Sequence, residues 1–234
     1  MMDHTLKKFD TDIDALRSVV TTMGGLVERQ VMRAVDAVRL GDLGIVDQVL
    51  ADEHRVNQLH MDCDRRCIQT IARQQPAAGD LREIISIIHT NTDLERIGDE
   101  AKRIAKKTRD LRGVSMPIDF GRIEKMAEAT ADMVRIAIDA FVRHDIAVAA
   151  LLGEHDLAVD RQRDVLIEDL TQAMSERPEV ASASLALIFI AQSLERVGDH
   201  ARNIAEYVVN MVEGVDLRHA SQDEIARISV PRGS

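Results

Sequence analysis

A twelve-residue segment written twice constrains this chain more than any other feature. LERIGDEAKRIA, residues 94–105, returns as LERVGDHARNIA, residues 194–205, with eight of the twelve positions identical and a spacing of 100 residues. Self-similarity at a fixed spacing marks a duplicated structural unit. A second match supports it at an offset of 103 residues: Asp36 and Asp42 fall on Asp139 and Asp145, Glu53 on Asp156, and Asn57 on Asp160. The three-residue change between offsets fits insertions and deletions confined to turns.

The unit is helical. Aromatic residues are 2% of the chain, Trp is absent, and the 45% apolar content is mostly Ala, Val, Ile and Leu. That mixture suits helix cores better than sheets. The first helical pattern ends near Arg39 with Gly41 as its stop, and Gly24 and Gly25 are expected to kink or loosen it. The second runs from about Asp42 to Gln75 and is stopped by Pro76. Asp80, with Glu83 three residues on, reads as the capping box of a third helix that continues to Arg112. After the linker GVSMPIDFG, a fourth helix spans about Arg122–Arg143, a fifth starts at Asp145 and ends before Pro178, and a sixth closes at Glu213 with Gly214 beyond it. Long helices joined by short turns pack as a bundle. The expected architecture is all-α: a three-helix repeat over residues 1–113, a second over 117–214, and a tail over 215–234. The closing VPRGS resembles a protease-site remnant and is set aside.

A formal net charge of -10 repels phosphate backbones, which argues against nucleic acid as a partner. The basic run Lys102, Arg103, Lys106, Lys107 and Arg109 reads first as a solvated face with a cationic last turn. A docking patch for an acidic partner or lipid headgroups is the second reading. The opening MMDHTLKKFD holds no apolar leader core. The longest fully apolar run, Leu185–Ala191, falls far short of the ~20 residues of a membrane span. The expected location is the cytoplasm. Cys63 and Cys67 lie four apart, neither a redox nor a zinc spacing, and are expected as buried reduced thiols.

The repeated segment carries Glu95 with Asp99 and Glu195 with Asp199. Residues four apart share a helix face with Cβ atoms about 5–6 Å apart, so such carboxylates repel unless a cation lies near. Each unit has a second pair on its preceding helix, Glu53 with Asn57 and Asp156 with Asp160, and packed helices can bring the pairs together. A lone acidic pair of this spacing carries no weight in so acidic a chain. Recurrence at equivalent places does. Oxygen donors suit Mg²⁺, Ca²⁺ and Mn²⁺, and carboxylate clusters also hold iron, whereas a tetrahedral Cys/His zinc site is disfavoured. Gly98 and Gly198 interrupt strong helical patterns at about 1 kcal/mol each relative to Ala. Their recurrence signals a need for space, either for close helix packing or beside an ion. Arg96 and Arg196 are expected to pair with nearby carboxylates. His60 precedes Asp64 by four residues, but its counterpart is Arg163, so the repeat gives it no support as a ligand.

LERIGDEAKRIA and LERVGDHARNIA resemble the twin signature of the PhoU family of phosphate-uptake regulators. VNQLHMDCDRRCIQTIARQQP and the closing GVDLRH resemble it too, over about residues 5–219. The resemblance implies two three-helix bundles related by a pseudo-two-fold axis, a homodimer, and a cytoplasmic place beside the high-affinity phosphate ABC transporter, peripheral to that membrane complex. It implies contacts with the transporter's ATPase subunit and with the phosphate-sensing histidine kinase, negative regulation of the phosphate regulon, and no enzymatic activity. It also implies divalent or trivalent metal ions (Mg, Mn, Fe or Zn) on Glu53, Asn57, Glu95, Asp99, Asp156, Asp160, Glu195 and Asp199. Asn57 replaces a charged ligand, and His60 stands where the family often has Glu, so the first cluster is expected to be the weaker. Two other classes compete. A di-iron carboxylate oxidoreductase would use Glu-x-x-His motifs, and no Glu here has His three residues later. A metal-free helical scaffold would leave the acidic pairs as surface residues.

Overall fold

The computed structural model describes residues 2–217 and Ile228, with side chains from Lys8 onward. Its elements are α1 (Met2–Leu40), α2 (Leu43–Gln74), α3 (Ala78–Lys106), the single turn α4 (Thr108–Leu111), α5 (Gly121–Arg143), α6 (Val148–Glu176), a 3-10 turn (Pro178–Val180) and α7 (Ala181–Glu213). No strand occurs among the described residues. Helices α1–α3 form one bundle and α5–α7 the other, as the repeat implies. Most of the expected tail, including VPRGS, lies outside the described residues; of its start, Leu217 is buried.

The two bundles meet through equivalent helices. Helix α3 packs extensively on α7, its own repeat counterpart, and α1 packs on α5. An element facing its equivalent is what a two-fold relation produces. Leu94, Ile97, Ala101 and Ile104 on α3, and Leu194, Val197, Ala201 and Ile204 on α7, are fully buried. They belong to one contiguous core that runs through both repeats. By length and composition α7 could cross a membrane, but its apolar face is the centre of this core, packed against α3, α5 and α6.

Asp42, near the expected start of α2, caps it, its Oδ1 accepting from the Gly44 N–H at 2.7 Å. Asp145 accepts from the Ala147 N–H at 3.0 Å in the equivalent turn, but α6 itself starts later, at Val148. Two other boundaries differ from expectation. Asp80 is not an N-cap: Gln75 adopts a left-handed conformation (φ 49°), the chain turns at Pro76, and α3 starts at once behind Ala77. Asp80 lies in the first turn, where the positive helix end favours it. Glu83 reaches Arg17 on α1, whose Nε donates to it at 2.7 Å. Helix α3 also stops before Arg112. The Lys107 N–H bonds to the Ile104 carbonyl at 2.9 Å, tightening the final turn.

Nor do Gly24 and Gly25 break α1, which is a single helix. A Cβ at Gly24 would stand 2.6 Å from Ile138 Cγ1 and within 3.2 Å of two further carbons of that side chain. The missing side chain admits α5. Gly24→Ala should therefore destabilise the protein by about 1–2 kcal/mol, overpacking outweighing the gain in helix propensity. Chemical denaturation measures this, and a neutral or stabilising result would show that α5 can retreat freely.

Cys63 and Cys67 are both buried thiols. Their mutual hydrogen bond, followed by burial, pushes the Cys63 thiol far up, away from its reactive ionised form.

Candidate metal centres

In the first repeat, α2 and α3 bring Glu53 and Asp99 to one ammonium group, with Asn57 bonded to Glu53. Lys102 Nζ donates to Glu53 Oε1 at 2.7 Å and lies 3.5 Å from Asp99 Oδ1. Asn57 Nδ2 donates to the same Glu53 oxygen at 2.8 Å. Glu53 is 4% exposed, and burial alone would raise its carboxyl. The bonds from Lys102 and Asn57 outweigh burial and hold it below the usual range. Glu95 has Arg96 Nε 3.7 Å from its Oε2. His60 Nε2 faces Asp64 Oδ2 at 3.5 Å.

In the second repeat, Asp156 and Asp160 on α6 approach Glu195 and Asp199 on α7. Two arginines stand among them. Arg163 pairs with Glu195 through a very short contact and lies 3.3 Å from Asp160 Oδ1. Arg202 bonds Asp156 Oδ2 and lies 3.3 Å from Glu206 Oε1. The balance differs from the first repeat. Asp156 is 3% exposed, and its Oδ1 has no hydrogen-bond partner. Burial first, then mutual repulsion, holds the Asp156, Glu195 and Asp199 carboxyls above their ordinary range despite both arginines. Counted as ionised, both clusters keep excess negative charge, three carboxylates against Lys102 in the first and four against two arginines in the second. They differ in that burial raises the second cluster's carboxyls, whereas Lys102 and Asn57 hold Glu53 down.

Among the described residues, no three acidic, imidazole or thiolate groups converge closely enough to enclose an ion as they stand. The donor chemistry nonetheless fits a hard cation, and the orphaned Asp156 oxygen favours the second cluster. A Cβ at Gly198 would stand 3.6 Å from that oxygen and 3.5 Å from Met133 Sδ. At Gly98 it would meet Gln30 Oε1 at 3.3 Å and Val56 Cγ1 at 3.4 Å. Close helix approach thus accounts for Gly98, whereas Gly198 also clears space beside a carboxylate.

Lys102 and Arg202 join these clusters although the acidic spacing alone does not single them out. They occupy equivalent places in the twin segment, three residues after Asp99 and Asp199, and that recurrence was a usable signal. The rest of the basic run is mostly partnered or solvated. Arg103 donates to Glu100 at 2.6 Å, and Lys107 pairs with Asp110 at 3.2 Å while lying 4.9 Å from the Phe189 ring centre. Arg196 reaches Glu100 across the α3–α7 interface at 3.6 Å, beside a 2.7 Å bond between His200 and Asp93.

Comparison with known proteins accounts for the repeated geometry. The PhoU domain model matches residues 20–108 and again 123–208. The chain belongs to the PhoU family. Among its curated PhoU relatives, the phosphate-specific transport system accessory protein PhoU homolog of Pseudomonas putida is 41% identical over 218 residues, 92% of this chain and 85% of the relative. The Escherichia coli phosphate-specific transport system accessory protein PhoU is 31% identical over 231 residues, covering 99% and 96%. The crystal structure of PhoU from Pseudomonas aeruginosa superposes with a TM-score of 0.85 at 40% identity, covering 88% of this chain and 100% of that one. That of the Streptococcus pneumoniae phosphate transport system regulatory protein PhoU gives 0.83 at 25% identity, covering 89% and 98%.

Proposed function

We propose that this chain is a non-enzymatic regulator associated with phosphate transport, and that it holds down the phosphate regulon when phosphate is plentiful. The observation that carries this reading is the match to PhoU accessory proteins along nearly the full length of both partners, in sequence and in fold. In this reading the protein acts in the cytoplasm as a homodimer. It bridges the ATPase subunit of the high-affinity phosphate transporter and the phosphate-sensing histidine kinase. Deleting its gene should raise expression of phosphate-scavenging genes in high phosphate, as a reporter fusion would show. The protein should also retain the ATPase subunit and the kinase on co-purification. Normal repression in the deletion strain counts against the reading.

The carboxylate clusters are the proposed metal centres. Asp156, Asp160, Glu195 and Asp199 hold a hard divalent or trivalent cation in the second repeat. Glu53, Asn57, Glu95 and Asp99 do so more weakly in the first, where the amide of Asn57 stands in place of a carboxylate. When bound, such an ion supplies the positive charge that the crowded oxygens of adjacent helices lack, tying α6 to α7. Arg163 and Arg202 orient those oxygens and temper their repulsion. Replacing both Glu95 and Glu195 by Ala should lower the metal content of protein purified without chelators. Loss of even an outer-shell partner costs roughly 10–100-fold in affinity, so loss of a ligand should cost at least that. Elemental analysis decides it, and unchanged content would refute the ligand assignment.

A further inference from the structure

Away from the carboxylate clusters, α5 and α6 diverge to leave a groove of about 530 Å³. Its floor is apolar: Met126 and Leu166 are buried beneath it, and Val165 on the α6 wall is 50% exposed. Three cations stand around it: Arg122 and Lys125 on α5, and Arg161 on α6. Arg122 pairs with Asp169 beyond the groove. Lys125 and Arg161 have no carboxylate partner among the described residues, although the chain carries 40 acidic side chains against 30 basic ones.

We propose that this groove is a docking site for a short acidic amphipathic helix of a partner protein. The charge is complementary, a cationic rim over an apolar floor in an otherwise acidic molecule. The shape is complementary too. The α6 lining positions from Ala158 to Leu166 follow one helical stripe, which at 1.5 Å per residue spans roughly 12 Å, or two turns. An apolar pair on the partner helix fits the floor, and its flanking carboxylates meet Lys125 and Arg161, the helix-in-groove mode. A small anionic amphiphile fits less well. Lys125, Arg161 and Val165 are open to solvent, whereas small-ligand sites bury roughly 70–90% of the ligand. This site is independent of the metal reading.

The test uses the full chain and a fluorescein-labelled 18-residue synthetic helix with Leu on one face and Glu on its flanks, followed by anisotropy. Saturable binding is expected, weakening as salt rises. A Lys-flanked version of the peptide should bind at least about tenfold more weakly, and Lys125→Glu with Arg161→Glu should weaken the acidic peptide about tenfold, two exposed attractions having become repulsions. Val165→Glu should also weaken it, by filling the floor with charge. All three residues are exposed, so far-UV circular dichroism should show these variants folded. Three results overturn the proposal: no saturable binding, equal binding by the variants, or dodecyl phosphate bound where the peptide is not. Self-association of the parent that disappears in the double variant would give the groove to a second copy of the chain and likewise overturn it.

Discussion

Replacing Arg202 by alanine in metal-free protein should lower the free energy of unfolding by about 3 kcal/mol, the penalty for leaving buried carboxylates without their partner. Arg202 serves two such groups, Asp156 and Glu206, both less than a tenth exposed. Among the described residues, neither has another cation within ion-pairing distance. The loss comes from uncompensated charge, not from missing packing. Adding Asp156→Asn to the Arg202→Ala protein should therefore recover a substantial part of it, although the double variant lacks more native interactions than the single one. Urea unfolding in chelator, followed at 222 nm, measures both. If the second change adds to the damage, the guanidinium acts through packing of its stem. Lys102→Ala in the first repeat should cost less, because Asn57 still bonds Glu53 and Asp99 stays partly solvated.

Truncating Leu94 or Leu194 to alanine should each cost about 3 kcal/mol, within the usual span for a buried leucine. Both are fully buried. For a chain of this size that corresponds to a fall in Tm of roughly 6–12 °C. The informative part is the shape of the transition. Because α3 and α7 share one core, damage in the first repeat should destabilise the second equally. The single Tyr, Tyr207, lies on α7, and there is no Trp. The Tyr207 ring lies 5.2 Å from that of His89 on α3, so tyrosine fluorescence follows the contact between the repeats, while circular dichroism follows the whole chain. In Leu94→Ala the two signals should move together. If the dichroism split into two steps and Tyr207 followed only the first of them, the repeats would be separate folding units despite their contact.

That shared core ties stability to the proposed regulatory role. The same α3 and α7 segments that bury Leu94 and Leu194 on one face carry Asp99 toward α2, through Lys102 and Glu53, and Glu195 and Asp199 toward α6. Charge placed on one cluster therefore acts on a helix, α3 or α7, that packs against the other bundle.

Much of this organisation could be read along the chain. The duplication, six long helices, their ends at Gly41, Pro76 and Gly214, and the shared face of each acidic pair all follow from local rules. Helical period, turn residues and identity at a fixed spacing are properties of neighbouring residues. Helix α3 starts ahead of its capping-box pattern because Pro76 and the left-handed Gln75 turn the chain sooner. Other features depended on which side chains arrive from another helix. Lys102 meets Glu53 from 49 residues away, Arg202 meets Asp156 from 46, and Arg163 meets Glu195 from 32. The difference between a first cluster whose buried Glu53 is held in its charged form by its partners and a second whose carboxyls burial raises, and the groove between α5 and α6, are equally hidden. Axial register and rotation of packed helices are set by the sum of many apolar contacts, such as Gly24 against Ile138. A shift of one turn would exchange every cross-helix partner while leaving each helix's own pattern intact.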